Sequence, residues 1–292
     1  MVLLDDFRDI VKRDEPLAAH TYFRLGGPAE FFARPRSIDE LAALVTRCRQ
    51  DDVPLHMLGG GCNLLVRDEG VKGVVVKLDH ESFCGIKIRG NLVDAGAGAL
   101  LSTVITKTAK AELGGFEVLV GIPGTIGGSL RMNAGGRAGD IGQFTGLVTV
   151  MDWKGTVHVR RRDELEFSYR ETNLDEPVVL AGQFELEPVN PEEIIKRMRK
   201  IWITKKASQP LGFQSAGCIF KNTRGLSAGL LIEQTGLKGT KVGGAEVSER
   251  HANFIVAGDG CTARDVLRLV DLVRSRVAEK FGVELELEIK VW

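Results

Sequence analysis

Three glycine-rich stretches in the first 135 residues can present backbone N–H groups to an anion. They are Gly59-Gly60-Gly61-Cys62-Asn63, Ala95-Gly96-Ala97-Gly98, and Gly121-Ile122-Pro123-Gly124-Thr125-Ile126-Gly127-Gly128-Ser129. Glycine permits positive φ and lets a ligand approach the main chain without a Cβ in the way. Successive N–H groups in such turns form a concave donor site for phosphate oxygens, and Thr125 and Ser129 add hydroxyls. Any one stretch alone reads more simply as a tight turn. Three of them, each after an apolar strand-like segment, point to a pyrophosphate. The familiar nucleotide motifs do not occur: there is no G-x-x-x-x-G-K-[ST], and no G-x-G-x-x-G between strand and helix with an acid ~20 residues on. Neither a P-loop nor the standard dinucleotide fold is supported.

Helical and strand-like patterns alternate around these stretches. Ser37-Ile38-Asp39-Glu40 is a capping box, in which the serine hydroxyl accepts a backbone N–H and the glutamate reaches back; Leu41, Leu44, Val45 and Cys48 follow at helical spacing. Residues 71–77 and 92–98 read as strands, the second running into a helix around 100–112. Residues 148–160 read as a hairpin about Lys154-Gly155. Asn190-Pro191-Glu192-Glu193 starts a helix reaching about Lys205: asparagine caps, proline takes the first turn, and acids sit at the positive end of the dipole. A short helix near 227–235 and strand pieces at 241–247 and 253–257 follow. Thr262-Ala263-Arg264-Asp265 opens a long helix with Val266, Leu267, Val270, Val273 and Val277 on one face, and Gly282 ends it. Residues 283–292 alternate and read as a final strand. A shift in composition near 188–191 marks a domain boundary.

At 292 residues the chain exceeds one ordinary domain of ~100–200 residues. Hydrophobic residues make up 43%, yet no apolar run approaches the ~20 residues of a membrane-spanning helix. Lys+Arg and Asp+Glu are both 39, so no global basic field invites nucleic acid, although a zero sum is compatible with a local cationic pocket. The five cysteines, Cys48, Cys62, Cys84, Cys218 and Cys261, are scattered without a C-x-x-C pair, and the five histidines are equally dispersed. Neither a disulfide framework nor a metal site is expected, and free thiols fit a reducing cytosol. The start, Met1-Val2-Leu3-Leu4-Asp5-Asp6, lacks the basic-then-apolar layout of a secretory leader. The expectation is a soluble cytoplasmic protein without a membrane or nucleic-acid partner.

Seven segments occur in a telling order: Thr21 through Ala29, Leu58 through Val66, Gly121 through Asn133-Ala134-Gly135, Phe167-Ser168-Tyr169-Arg170, Ser215 through Asn222, His251-Ala252-Asn253-Phe254, and Leu285-Glu286-Leu287-Glu288. Together they make nearly the whole chain resemble the UDP-N-acetylenolpyruvoylglucosamine reductases (UDP-N-acetylmuramate dehydrogenases) of peptidoglycan synthesis, in the shorter of that family's two forms. The resemblance implies an α+β fold. An FAD-binding portion of the vanillyl-alcohol-oxidase type would span 1–188, as two α+β subdomains split near 80. A separate α+β substrate-binding domain would span 189–283, and a final strand, 284–292, would carry an acid back to the FAD-binding portion. It implies non-covalent FAD held by Gly59, Gly60, Gly61, Cys62, Asn63, Gly121, Pro123, Gly124, Thr125, Gly127, Gly128 and Ser129. NADPH would be the co-substrate, and hydride from reduced flavin would pass to the enolpyruvyl group to give UDP-N-acetylmuramate. The chain departs from the family at Cys62 and Cys218, where serine is common, and at Gly136-Arg137-Ala138, which replaces a stretch that often bears tyrosine. In related flavoproteins a residue near Cys62 can be tethered to the flavin, so this cysteine raises the question of a covalent link.

A vinyl ether conjugated to a carboxylate sets three demands: a hydride donor, positive charge or acid at the carboxylate, and a proton donor for the adjacent carbon. The resemblance assigns the carboxylate to Arg170, whose permanent charge and forked donors suit it; the plainer alternative is a salt bridge. It implies Glu288 as an acid assisting the enolate, with Glu286 its nearest rival. The ordinary reading of Glu284, Glu286 and Glu288 is a solvated face, and an acid role requires burial to raise the pKa. Cys218 is implied as proton donor, a role open to a thiol of pKa ~8.5; the alternative is a buried structural cysteine. Lys205, Lys206, Lys221 and Asn222 are candidates for the diphosphate and carboxylate of a UDP-linked amino sugar, and Asn253 for its other polar atoms. Tyr169 either hydrogen-bonds a phosphate or packs beside Arg170. The oligomeric state is open, with a monomer favoured. Two rival readings are an alcohol or hydroxy-acid oxidase on the same FAD scaffold, and a nucleotide-sugar-binding module without turnover.

Overall fold

A computed structural model describes residues 5–223 and 225–292. The reading of the N-terminus rests in part on residues 1–4, which lie outside that range. The chain falls into two units, one of Met1–Asp14, Glu30–Gly60 and Lys72–Ile203, the other of Glu15–Ala29, Gly61–Val71 and Thr204–Trp292. Each has its own hydrophobic core.

In the first unit a five-stranded antiparallel sheet runs in the order Val157–Arg161, Thr145–Met151, Val178–Glu185, Leu92–Gly96, Ile86–Arg89. The expected hairpin about Lys154-Gly155 is its edge; Asp152 Oδ1 accepts the N–H groups of Lys154 and Thr156 and so closes the turn. A second sheet holds Val71–Lys77 beside Leu55–Leu58 in parallel register. Val74, Val75 and Val76 are all fully buried, the mark of a strand covered on both faces. Helix α1, Ile38–Gln50, buries Leu41, Leu44, Val45 and Cys48 as the spacing requires. Half of its expected capping box forms. Ser37 Oγ accepts from Glu40 N at 3.1 Å, but the Glu40 carboxylate goes to Arg36, at 2.6 Å from its N–H and 2.9 Å from its guanidinium. A charged donor one residue upstream outcompetes the neutral N–H of Ser37. Helices α2, Leu101–Lys110, and α3, Ile126–Arg131, complete the part of this unit that frames the glycine stretches.

Helix α4, Pro191–Ser208, starts where Asn190 Oδ1 accepts from Glu192 N at 2.9 Å and runs on beyond Lys205. In the second unit Lys241–Val242, Ala245–Val247 and Ile255–Ala257 form a small antiparallel sheet. Its apolar face packs with α5, Ala228–Gln234, and α6, Ala263–Phe281. Thr262 and Asp265 form the reciprocal cap of α6, and Gly282 ends it at φ +65°. Leu269 is fully buried, while Leu267, expected on the buried face, is only partly so.

The expected final strand is regular only at Lys290–Val291, which runs parallel to Leu64–Leu65. Before that it keeps different company: Lys221 N donates to Glu286 O, Leu287 bridges Phe220, and Glu288 N donates to Ile219 O. An alternating sequence that changes partner part-way cannot form one continuous ladder. Both partner segments belong to the second unit. Among the described residues no helix is long and apolar enough to cross a membrane.

Candidate active site

Gly59 and Gly60, the start of the first glycine stretch, lie in the first unit with the other two stretches. A Cβ on Gly59 would stand 2.9 Å from Thr125 Oγ1, and one on Gly127 would stand 2.9 Å from Ala97 Cβ. Only glycine allows approach this close. Main-chain bonds knit the second and third stretches: Leu101 N to Gly124 O, Ile126 N to Ala99 O, and Gly127 N to Ala97 O, at 2.9–3.0 Å. Gly128 N donates to Thr125 Oγ1 and Ser129 N to Thr125 O. The N–H groups of Gly127, Gly128 and Ser129, expected as phosphate donors, therefore already have protein acceptors. Among the described residues those of Gly121, Gly124 and Thr125 have none. The open donors lie before α3 rather than within it. The Ser129 hydroxyl stands 3.9 Å from where a Cβ on Gly124 would be, so it faces the same spot. A loop with open N–H groups, a glycine without Cβ and a nearby hydroxyl fits an anionic diphosphate.

Arg170 is carried on a hairpin of the same unit. Phe167–Ser168 and Glu171–Thr172 pair, leaving Tyr169 and Arg170 as the two-residue turn. Arg170 has φ +62°, a position where glycine is usual. Backbone strain in a non-glycine residue persists only where the surroundings hold it. Here Arg170 Nη1 donates to Gly135 O at 2.8 Å, and its guanidinium lies 5.4 Å from the Tyr169 ring centroid. Tyr169 thus packs beside Arg170 and is 50% exposed. Asn133, buried after α3, donates through Nδ2 to Ser168 O at 2.8 Å. Arg131 donates to Leu174 O and Glu176 O, just past the hairpin. Gly136-Arg137-Ala138 forms an exposed turn beside Gly135.

In the second unit, residues 218–221 run between two neighbours. Cys218 bridges Phe254, and Ile219 N donates to Asn253 O at 2.8 Å; on the other side Glu288 N donates to Ile219 O at 2.8 Å. Cys218 and Glu288 are therefore carried on adjacent backbone segments, each half-buried. Glu286 differs: its side chain is 68% exposed and lies 2.6 Å from Lys221 Nζ. Asn253 needs correction as a substrate ligand. It is 3% exposed, and its amide brackets Phe220, with Oδ1 accepting from Phe220 N at 2.9 Å and Nδ2 donating to Phe220 O at 2.8 Å. Asn222 Oδ1 accepts from Ala228 N at the start of α5. Lys206 is exposed in the last turn of α4 and Lys205 is half-buried there. Nearby, Ser208, Ser227, Arg250 and His251 line a cavity of about 210 Å³. Arg250 and His251 are not themselves named as ligands from the sequence, although His251 opens the segment that holds Asn253.

The end of the first glycine stretch also belongs to this unit. Asn63 Nδ2 donates to Glu288 O at 3.0 Å, and Asn63 O accepts from Lys290 N at 2.9 Å. Asn63 thereby clamps the segment that bears Glu288. Tyr22 N donates to Gly61 O, and the Tyr22 hydroxyl shares a hydrogen bond with the Cys62 thiol. Burial pushes the Cys62 thiol up to about 12, with the Tyr22 contact acting weakly the other way. Tyr22 is also raised, first by burial and then by Cys62. Among the described residues no group of three His, Cys, Asp or Glu side chains is arranged for a metal ion.

Residues 29–160 match a family model described as FAD binding domain, and residues 209–292 match that of UDP-N-acetylenolpyruvoylglucosamine reductase, C-terminal domain. The UDP-N-acetylenolpyruvoylglucosamine reductase of Moorella thermoacetica is 44% identical over 283 residues, covering 97% of this chain and 93% of the relative. The chain belongs to the UDP-N-acetylenolpyruvoylglucosamine reductase family. A reductase of that name from Caldanaerobacter subterraneus subsp. tengcongensis is 42% identical over 99% of this chain and 98% of its own. The crystal structure of UDP-N-acetylenolpyruvylglucosamine reductase from Thermus caldophilus superposes with a TM-score of 0.83, at 38% identity over 97% and 98% of the two chains. This member of the reductase family therefore has the expected α+β fold with an FAD binding domain. All three glycine stretches fall within 29–160, Cys218 and Glu288 fall within 209–292, and Arg170 falls in neither span.

Proposed function

We propose that this reductase uses NADPH and FAD to reduce the enolpyruvyl double bond of UDP-N-acetylenolpyruvoylglucosamine to UDP-N-acetylmuramate, in the cytoplasm, for peptidoglycan synthesis. The observation that carries the proposal is the convergence of three glycine stretches, with open donors at Gly121, Gly124 and Thr125, inside the span that matches an FAD binding domain. Bound FAD would supply the hydride-transfer chemistry between NADPH and the substrate. The cofactor belongs mainly to residues 1–188, the UDP-sugar to 189–283, and residues 284–292 present the acid. The glycine loops hold the pyrophosphate, with Ser129 contributing through its hydroxyl. Cys62 stays a neutral thiol at physiological pH, and a neutral thiol is a poor nucleophile, which supports non-covalent FAD.

As hydride reaches the distal carbon, negative charge moves onto the substrate carboxylate. Arg170, with a guanidinium fixed by Gly135 O and Tyr169, neutralises that charge. Glu288 holds a proton at the developing enolate; its half-burial and the engagement of Glu286 with Lys221 favour it over Glu286. Cys218 donates its thiol proton to the adjacent carbon. Lys206, Arg250 and the neighbouring cavity take up substrate phosphate, with Lys221, Asn222 and Tyr169 at its polar edges. Asn253 supports the Cys218 segment instead of touching substrate.

A visible absorption spectrum tests this reading. Purified protein should be yellow and should consume NADPH only when the enolpyruvyl substrate is added. Colourless protein that fails to bind added FAD would overturn it. Flavin reduced by an alcohol, with oxygen as acceptor, would move the assignment to an oxidase.

A further inference from the structure

Asn133 sits just past the C-terminus of α3, 3% exposed and at φ +41°. Asparagine tolerates that conformation better than other residues with a Cβ. Both ends of its amide are engaged. Oδ1 accepts from Gly142 N at 3.1 Å, and Nδ2 donates to Ser168 O at 2.8 Å. Ser168 pairs with Glu171, and only Tyr169 and Arg170 lie between them. Two residues along from Asn133, Gly135 O receives the Arg170 guanidinium. One short stretch, 133–135, therefore grips the turn twice, through its main chain at Ser168 and through the Arg170 side chain.

The Ser168 bond is the one that matters. A two-residue turn holding a non-glycine residue at φ +62° needs its flanks pinned, because a relaxed backbone would swing the guanidinium away. Gly142 N fixes the Asn133 amide from behind, so the donor to Ser168 points one way. We infer that Asn133 is a positioning residue that aims Arg170 and so acts on the substrate half of the reaction; this rests on the reading of Arg170 above. The rival account is a buried asparagine that merely satisfies local backbone.

Anaerobic stopped-flow kinetics of the full-length, FAD-loaded protein separate the two in a double-mutant cycle of Asn133→Asp and Arg170→Ala. Aspartate keeps an acceptor for Gly142 N and, when ionised, sets an acceptor oxygen against Ser168 O, so the tether is replaced by a repulsion and a buried charge; Asn133→Gly removes the tether without adding charge. Flavin reduction by NADPH should stay within about twofold of wild type in every variant. Reoxidation by the enolpyruvyl substrate should slow about tenfold in Asn133→Asp and about a hundredfold or more in Arg170→Ala. The double variant should be no slower than Arg170→Ala, because a residue acting through Arg170 has nothing left to aim. Equal slowing by Asn133→Asp in both backgrounds, or equal loss in both half-reactions, would show a merely structural role and overturn the inference alone. Unchanged reoxidation in Arg170→Ala would remove the reading of Arg170 and the inference with it. Asn133→Gly, which adopts positive φ without strain, runs the same cycle should the aspartate variant not fold.

Discussion

Cys62 shows how one side chain's surroundings decide its chemistry. It stands in the first glycine stretch, and its thiol is held near 12 by burial. At pH 8 its thiolate fraction is then far below that of an ordinary thiol. Iodoacetamide should label Cys62 at least about a hundredfold more slowly than a model thiol, as read by peptide mapping. Rapid labelling would mean the thiol is neither buried nor neutral. The same shift bears on stability. The folded value lies above the ordinary 9.0, so the fold favours the protonated form. That contribution is fully present below pH 9 and is lost as pH rises toward 12. Between pH 8 and 10, urea unfolding should show wild type losing more stability than Cys62→Ser. Cys48 and Cys261, both raised to about 11, remain in each protein and cancel in the comparison.

Helix α6 shows what a single element needs. Thr262 and Asp265 satisfy the first turn reciprocally, and Asp68 adds its two carboxylate oxygens to Ala263 N and Arg264 N at 2.9 and 3.1 Å. Thr262→Ala should cost about 1 kcal/mol, and Leu269→Ala, at a fully buried site, about 2–5 kcal/mol. Urea denaturation checks both; a larger loss from the cap than from the core would reverse the stated order. The helix was legible from its cap, spacing and terminal glycine because all three are local. The Asp68 contribution was not, since it arrives from 195 residues away. The same divide runs through the candidate site. Glycine clusters mark candidate phosphate turns in one dimension. Which N–H groups stay open depends on Ala97 and Ala99 supplying acceptors across a fold contact. Asn253 looked like a ligand because its partner, the Phe220 backbone, is invisible in sequence. Alternation at 283–292 reads as one strand, but only Lys290–Val291 is regular, because the segment changes partner near Asn63.

At the scale of the molecule, a formal charge of zero leaves local placement to do the electrostatic work. The first unit holds Arg170 at an unusual backbone angle, and the second holds Cys218 and Glu288 on neighbouring segments. Among the chain's passages between the units, the one at 60/61 lies inside the first glycine stretch and the one at 203/204 inside α4. The loop that would bind cofactor thus continues into the unit that holds Glu288, and Asn63 fastens to the Glu288 backbone. The central claim is that Arg170, Cys218 and Glu288 serve a single flavin's second half-reaction and not its first. Anaerobic stopped-flow traces at the flavin absorbance test it directly, with NADPH added first and the enolpyruvyl substrate second. In Cys218→Ala and Glu288→Gln, as in Arg170→Ala, bleaching by NADPH should match wild type, while recovery on adding substrate should be slowed by about a hundredfold or more. Recovery at the wild-type rate in these variants would contradict the account, as would a wild-type flavin that this substrate never reoxidises.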